Sequence, residues 1–178
     1  LIVCHNKEIG AYVHKDGFMY YTKVPFEKNS LKSDCNITTG YIDRKVYEEN
    51  PLTLKDFRKY LDSKRPLSDI EKIYDDKGIK LSELVFGRIH YLIRLIVKAV
   101  QPVICNDKKL DKHLTFQLFG VDIAVNDNLV PQVMEINKGP DLGAKDKRDS
   151  DVKHKVVEDI FKTIKVLNND NNEFIEIL

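Results

Sequence analysis

The chain lacks the features that direct a protein to a nucleic acid or a membrane. Its 29 lysines and arginines are balanced by 28 aspartates and glutamates, so a net charge of +1 gives no bulk attraction to either. It also lacks a long uninterrupted hydrophobic run, because the longest apolar stretch is broken by Arg88, His90, Arg94 and Lys98. We therefore expect no nucleic acid and no membrane among its partners.

Cysteine is scarce, and its spacing matches neither a metal site nor a disulfide framework. Cys4, Cys35 and Cys105 are odd in number and far apart. This pattern predicts reduced thiols in a cytosol-like compartment, so we expect a cytoplasmic protein.

A length of 178 residues with 42% hydrophobic content is enough for one domain, residues 1–178, that buries about 70% of its unfolded surface. Internal repeats are absent. Because the residues from Leu1 already have the pattern of a strand, we expect a fragment whose N-terminal part is missing.

The order of patterns predicts an α+β fold, in which helices pack on an antiparallel sheet. Strands are expected at 1–4, 11–14 and 18–22, the last two joined by a turn at Asp16-Gly17. Residues 174–178 are either a last strand or a truncated continuation of the chain. Helices are expected at 51–64, capped by Thr53 and Asp56, at 81–100, capped by Ser82, and at 150–167. Arg88, Arg94 and Lys98 lie off the apolar stripe of the second helix, so we expect them to be solvated.

A β-hairpin is predicted in the second half of the chain. The apolar runs 116–125 and 129–140, rich in β-branched residues, flank a turn signal at 126–128. If Asp127 and Asn128 form the turn, the two runs pair with Asn126 facing Leu129.

That pairing brings three polar side chains to one face. Asp122 lies opposite Val133 and Gly120 opposite Glu135, so Asp122 is diagonal to Glu135, roughly 7 to 8 Å away between backbone positions. Asn137 shares the face because side chains alternate along a strand. A four-residue loop preserves this arrangement, whereas a three-residue loop turns Asp122 to the other side.

Two carboxylates and an amide aimed at one space suit a hard cation such as Mg²⁺. Gly120 would leave room for the ion. The alternative is the solvated face of an ordinary half-exposed hairpin. Asp122 argues for the metal site, because it interrupts a run that is apolar on both faces, where an unpaired carboxylate is costly.

The hairpin also carries a resemblance to a known family. The residues F-Q-L-F-G-V-D at 116–122, M-E-I-N at 134–137 and Pro140 resemble the F-x-L-x-G-x-D and x-E-x-N-x-x-P signature of the tubulin tyrosine ligase family, which has the ATP-grasp fold. The sequence separations of Glu135 and Asn137 from Asp122 also fit that family. The resemblance implies that Asp122, Glu135 and Asn137 hold the Mg²⁺ ions that bridge the phosphates of ATP.

Other positions extend the resemblance, with departures. Residues 35–39, C-N-I-T-T, resemble the family's C-H-L-T-N element, which implies that Thr38 helps to hold the nucleotide. Lys138 stands where family members often carry a small residue, and it could contact a phosphate, contact a substrate carboxylate or point to water. Tyr20 stands where the family commonly has an arginine for an acidic substrate, and a phenol cannot form the paired contacts of a guanidinium with a carboxylate.

The function implied by the resemblance is an ATP- and Mg²⁺-dependent carboxylate-amine ligase, of which this chain would be the C-terminal part. Its partners would be ATP, an amino acid and an acidic peptide or protein tail, with microtubule association if the acceptor is tubulin. Asn137 and Lys138 would join Thr38 in binding the nucleotide. Two alternatives stay open: an inactive nucleotide-binding scaffold, and an ATP-grasp ligase acting on a small substrate other than tubulin.

Overall fold

The computed structural model describes residues 1–38, 45–63, 72, 74, 76–104, 113–168 and 170–178. The strands in these ranges are β1 Ile2–His5, β2 Glu8–His14, β3 Thr115–Gln117, β4 Gly120–Val125, β5 Pro131–Asn137 and β6 Phe174–Glu176. The helices are α1 Ser33–Asn36, α2 Val46–Glu49, α3 Leu54–Ser63, α4 Leu81–Val100 and α5 Lys147–Thr163. Helices combined with antiparallel strands confirm the predicted α+β class.

Four strands form one antiparallel sheet in the order β3-β1-β2-β6. Asn6 and Lys7 join β1 to β2 with φ values of 51° and 67°, the left-handed conformation that tight hairpin turns require. The expected strand at the start of the chain is therefore confirmed. Strand β3 immediately precedes β4, so this sheet leads directly into the hairpin.

The predicted strand at 18–22 is wrong. The far edge of β2 pairs with β6, through Tyr12 opposite Glu176 and His14 opposite Phe174. In pairing with other described residues, 18–22 contribute only an isolated bridge, from Phe18 to Thr53. The Asp16-Gly17 signal marks a real change of direction, but a segment from the far end of the chain has taken the position next to β2.

Helix α3 begins at the predicted capping box. Thr53 Oγ1 accepts the backbone N–H of Asp56 at 3.2 Å, and Asp56 Oδ2 accepts the backbone N–H of Thr53 at 3.2 Å. These bonds satisfy donors that the first turn of a helix leaves unpaired.

Helix α4 has the predicted bounds but a different cap. Ser82 lies inside the helix, where its backbone N–H and its hydroxyl donate to the carboxylate of Asp62 at 2.9 and 2.8 Å. The predicted cap is therefore wrong, and an acidic side chain from α3 supplies it.

Helix α5 starts and ends earlier than predicted. It begins at Lys147 because Asp146 caps it, accepting the backbone N–H of Asp149 at 2.8 Å. Within the described part of the chain, no helix has the length and apolarity needed to cross a membrane.

One hydrophobic core joins α3 and α4 to the tip of the hairpin. Its buried members are Leu61, Leu81, Val85, Phe86 and Leu129. Arg58 places its guanidinium 3.4 Å from the centre of the Phe86 ring, covering one side of this core. Leu129 at the hairpin tip is thus buried, whereas Asp122 at the opposite end is exposed.

The cysteines differ from the prediction that all are reduced. Cys35 is a free, fully buried thiol. Cys4 is disulfide-bonded, so the prediction is wrong for that residue. Cys105 lies outside the described residues.

Candidate functional site

Strands β4 and β5 form a separate two-stranded sheet in which Asp122 lies directly opposite Glu135. Gly120 lies opposite Asn137 in the same ladder. Residues directly opposite each other project to the same side of a sheet, and so do residues two apart on one strand. Asp122, Glu135, Gly120 and Asn137 therefore share a face. Asp122 and Glu135 are thus closer than the predicted diagonal pair would be.

The loop of the hairpin is not the one that the sequence favours. Asn126 donates to the carbonyl of Val130 at 3.2 Å and accepts the N–H of Leu129 at 2.8 Å, so 127–129 form a three-residue loop. Leu129 has a φ of 56°, the left-handed residue typical of such loops. The Asn126 carboxamide oxygen also accepts from Asn128 and Val130, at 3.0 and 2.9 Å.

A β-bulge then reverses the effect of this loop. A three-residue loop alone would turn Asp122 away from Glu135. The register shifts between Asp122 and Ile123, whose partners are Glu135 and Val133, so Met134 is an extra residue on β5. The predicted facing pairs, Asp122 with Val133 and Gly120 with Glu135, are therefore wrong, although the three polar residues still meet on one face.

Asp122 and Glu135 are exposed, and Asn137 is half-buried. Within the described part of the chain, no hydrogen bond or ion pair engages either carboxylate. Like charges directly opposite each other destabilise a pair of strands, so this arrangement favours a bound cation. Two carboxylates and an amide are oxygen ligands of the kind that Mg²⁺ prefers.

Gly120 lies close to Pro140, in the segment after β5. A Cβ built on it would lie 3.2 Å from the Cβ of Pro140. The missing side chain therefore makes room for Pro140, and the expected room for an ion stays a prediction. This close contact brings the chain that follows Asn137 back against β4.

Gln117 secures the same segment from β3. Its side-chain amide donates to the carbonyl of Lys138 at 2.6 Å and to the carbonyl of Leu118 at 2.8 Å. Sequence reasoning gave Gln117 no role, because the signal that marks it is a contact with a residue distant in sequence. The pair Gln117 and Pro140 thus positions the residues next to Asn137.

Arg88 was also missed, and its predicted solvation is wrong. It donates from α4 to the carbonyls of Leu129 and Asn128, at 3.0 and 3.4 Å. A basic residue off an apolar stripe is usually solvated, so the sequence carries no signal for this contact. Arg88 therefore fixes the hairpin tip on the longest helix.

Tyr20 has a raised pKa although the residue is 53% exposed. Burial is the first cause, followed by Tyr47 and by the carboxylates of Asp122, Asp149 and Asp141.

The remaining predicted site residues are Thr38, which has no described contact with the hairpin face, and Lys138, which adjoins it in the chain. Thr38 is exposed just after α1, and no hydrogen bond between described residues links it to Asp122, Glu135 or Asn137. Lys138 is exposed next to Asn137. Thr39 lies outside the described residues. Across the described ranges, no group of three His, Cys, Asp or Glu side chains could hold a metal, so an amide is needed to complete the candidate set.

Comparison with known proteins identifies the class. The model of the tubulin-tyrosine ligase family matches residues 2–173. The chain therefore belongs to the tubulin-tyrosine ligase family.

Its curated relatives include proteins named as polyglutamylases. The chain is 27% identical over 160 residues to the probable tubulin polyglutamylase TTLL9 of Rattus norvegicus, covering 86% of this chain and 31% of that protein. It is 28% identical over 171 residues to the probable alpha-tubulin polyglutamylase Ttll1 of Tetrahymena thermophila, covering 92% and 37%. It is 26% identical over 178 residues to the probable tubulin polyglutamylase TTLL2 of Homo sapiens, covering 94% and 27%. The chain spans about a third of the length of these relatives.

Proposed function

We propose that this chain is part of an ATP- and Mg²⁺-dependent ligase with an ATP-grasp fold that adds an amino acid to a protein. Names of relatives support tubulin as the acceptor, through an acidic tail, and hence a cytoplasmic enzyme that works on microtubules. The observation that carries the proposal is the Asp122–Glu135 pair with Asn137 beside it, inside the matched region.

The proposed reaction joins a carboxylate to an amine in two steps. An oxygen of the carboxylate attacks the γ-phosphorus of ATP and ADP leaves, which gives an acylphosphate. The amine then attacks the acyl carbon, an amide forms and phosphate leaves. A bound Mg²⁺ would supply neutralisation of the phosphate oxygens, worth several kcal/mol in such reactions.

The chain's own residues would position the reactants. Asp122 and Glu135 would hold the ion from opposite strands, and Asn137 would add an amide oxygen without further negative charge. Lys138, next to Asn137, would contact a phosphate, and Thr38 would contact the nucleotide. Gln117 and Arg88 would keep the two ends of the hairpin in place, so positioning and electrostatics would account for most of the rate.

A second candidate is a nucleotide-binding scaffold without ligase activity. Tyr20 supports it, because the family resemblance would place at this position a guanidinium for an acidic substrate, and a phenol cannot form the paired contacts of a guanidinium with a carboxylate. Such a protein would keep the metal face and lose the acceptor chemistry.

ADP release by the full-length protein tests both candidates. It would be measured with Mg·ATP against a panel of amino acids, each offered with peptides that end in acidic tails. The ligase proposal predicts release that requires both an amino acid and an acceptor. No turnover together with retained Mg·ATP binding would favour the scaffold, and loss of Mg·ATP binding as well would overturn both.

A further inference from the structure

An open cleft of about 410 Å³ lies between α2, α3 and the start of α5. This volume is within the range of ligand sites in proteins. Among its lining residues are Tyr47, Glu48 and Glu49 of α2, Lys59 and Tyr60 of α3, and Arg148 of α5. None of the candidate metal residues lines it.

Its walls are held by contacts that do not depend on a ligand. The Tyr47 hydroxyl donates to the carbonyl of Met19 at 3.0 Å. The Tyr47 and Tyr21 rings pack edge to face, with their centres 5.9 Å apart. On the opposite wall, Asp56 accepts from Arg148 at 2.9 Å as well as from the capping box of α3. A site held in this way loses little freedom when it binds.

The charges of the two walls are opposite. Glu48 and Glu49 are exposed on α2 and form no ion pair with any described residue. Lys59 and Arg148 lie on the other side. Burial would raise the pKa of Asp56, but the hydrogen bonds from Thr53, followed by the charges of Arg148 and Lys59, outweigh burial and lower that pKa. Arg148 uses one of its nitrogens for Asp56, which leaves further N–H donors for a ligand.

We propose that this cleft binds a peptide segment of mixed charge, with a cationic side chain against Glu48 and Glu49 and a carboxylate against Lys59 and Arg148. A uniformly acidic segment would meet the two glutamates, and a uniformly basic one would meet Lys59 and Arg148. The rings of Tyr47 and Tyr60 offer flat surfaces for the peptide between these ends.

One wall of the cleft contacts the segment that leads to Tyr20, because the Tyr47 hydroxyl donates to the carbonyl of Met19 at 3.0 Å. The role of the peptide as an acceptor rests on the proposed function, whereas its binding does not. The cleft would then select an acceptor with a basic residue close to its acidic ones.

Fluorescence anisotropy with the full-length protein and no ATP tests the proposal. Three labelled peptides of equal length would be compared: one alternating lysine and glutamate, one of glutamate alone and one of serine and glycine. We expect the mixed peptide to bind at least about tenfold more tightly than the acidic one. Equal or tighter binding of the acidic peptide, or no binding of any peptide, would overturn the proposal.

Variants assign the binding to the cleft. The double substitution Glu48→Gln and Glu49→Gln should remove the preference by improving binding of the acidic peptide, whereas Lys59→Gln should weaken both peptides that contain glutamate. Lys98→Gln, an exposed position on α4 outside the cleft, is the matched control and should change nothing. If the cleft variants behave like Lys98→Gln, the site lies elsewhere and the proposal fails. If the mixed-charge peptide binds but the full-length protein releases no ADP, the ligase proposal fails and the proposal of a peptide site stands.

Discussion

At the scale of single residues, we expect the pKa of Tyr20 to respond to the charge of the hairpin face. The carboxylate of Asp122 is one of the negative charges that raise its pKa, after burial and Tyr47. A cation bound at Asp122 would cancel that charge, so we predict that Mg²⁺ lowers the pKa of Tyr20. The measurement is a pH titration followed by NMR of ¹³C-labelled tyrosine rings with and without Mg²⁺, with Tyr20→Phe to assign the signal.

Tyr21 is the internal control for that titration. Its pKa is raised to about 12 by burial first, then by Tyr47, Tyr60 and Asp56, and Asp122 is not among the causes. Mg²⁺ should therefore leave Tyr21 unchanged while Tyr20 moves. If Mg²⁺ leaves the pKa of Tyr20 unchanged, or shifts the pKa values of Tyr20 and Tyr21 equally, the ion does not bind at Asp122.

Gln117 carries a second prediction at this scale. Gln117→Met keeps the length of the side chain and removes both N–H donors, so the carbonyls of Lys138 and Leu118 lose their partner. Because these residues adjoin Asn137, we expect faster hydrogen exchange at 138–143 and weaker binding of Mg·ATP. Gln101→Met, at an exposed position after α4, is the control. Unchanged exchange at 138–143 would show that Gln117 does not secure this segment.

At the scale of secondary-structure elements, the attachment of the hairpin to α4 is the decisive contact. Arg88→Met keeps the hydrophobic stem and removes the bonds to Leu129 and Asn128. Hydrogen bonds from charged donors contribute about 1.5–3 kcal/mol each, so we expect a loss near the lower figure because the site is partly exposed. Chemical denaturation would measure it.

Arg94→Met provides the comparison for Arg88→Met. Arg94 is exposed on the same helix and has no described partner, so its substitution should change the free energy of unfolding by less than about 0.5 kcal/mol. Equal effects of the two substitutions would mean that Arg88 acts only through its charge.

Long regular elements could be predicted from the sequence, and their irregular joints could not. The bounds of α4 follow from apolar residues that recur through the whole helix, and Thr53 with Asp56 marks the start of α3. The register of the hairpin was missed because its three-residue loop and the bulge at Met134 are separate irregularities, neither of which changes the polar pattern. The pairing of β2 with β6 was missed because it joins segments far apart in sequence, where a nearby turn signal carries no information.

At the scale of the whole molecule, the fully buried carboxylate of Asp159 ties the two ends of the chain together. It accepts from Lys155 at 2.6 Å, from the backbone of Glu173 at 3.0 Å and from His14 Nε2 at 3.2 Å. Lys162 lies 3.6 Å away. Burial alone would raise the pKa of Asp159, but these hydrogen bonds and charges outweigh it and lower the pKa below 3.8.

Acid should therefore remove the stability that Asp159 contributes. A lowered pKa in the folded state means that this contribution is complete above the ordinary carboxyl pKa of 3.8 and is lost as pH falls through the lower folded value. Asp159→Asn should cost about 3 kcal/mol at pH 7, because it leaves Lys155 and His14 facing a neutral amide. The difference in the free energy of unfolding between Asp159→Asn and the wild type should shrink below about pH 4.

Denaturant unfolding at several pH values measures this difference, with Asp151→Asn as its reference. Asp151 is exposed and pairs with Lys147 along α5, so its removal should cost less than about 1 kcal/mol. A cost for Asp159→Asn that stays constant from pH 7 to pH 3 would contradict the role assigned to its charge.

Binding of a divalent ion by the hairpin face is tested most directly with Mn²⁺ as a spectroscopic substitute for Mg²⁺. Electron paramagnetic resonance would count the Mn²⁺ bound to the full-length protein with ATP, for the wild type, Asp122→Asn, Glu135→Gln and the exposed α4 control Glu83→Gln. We predict that each hairpin substitution weakens binding at least about tenfold, or 1.4 kcal/mol, while Glu83→Gln binds as the wild type does. Wild-type affinity in both hairpin variants would contradict the account.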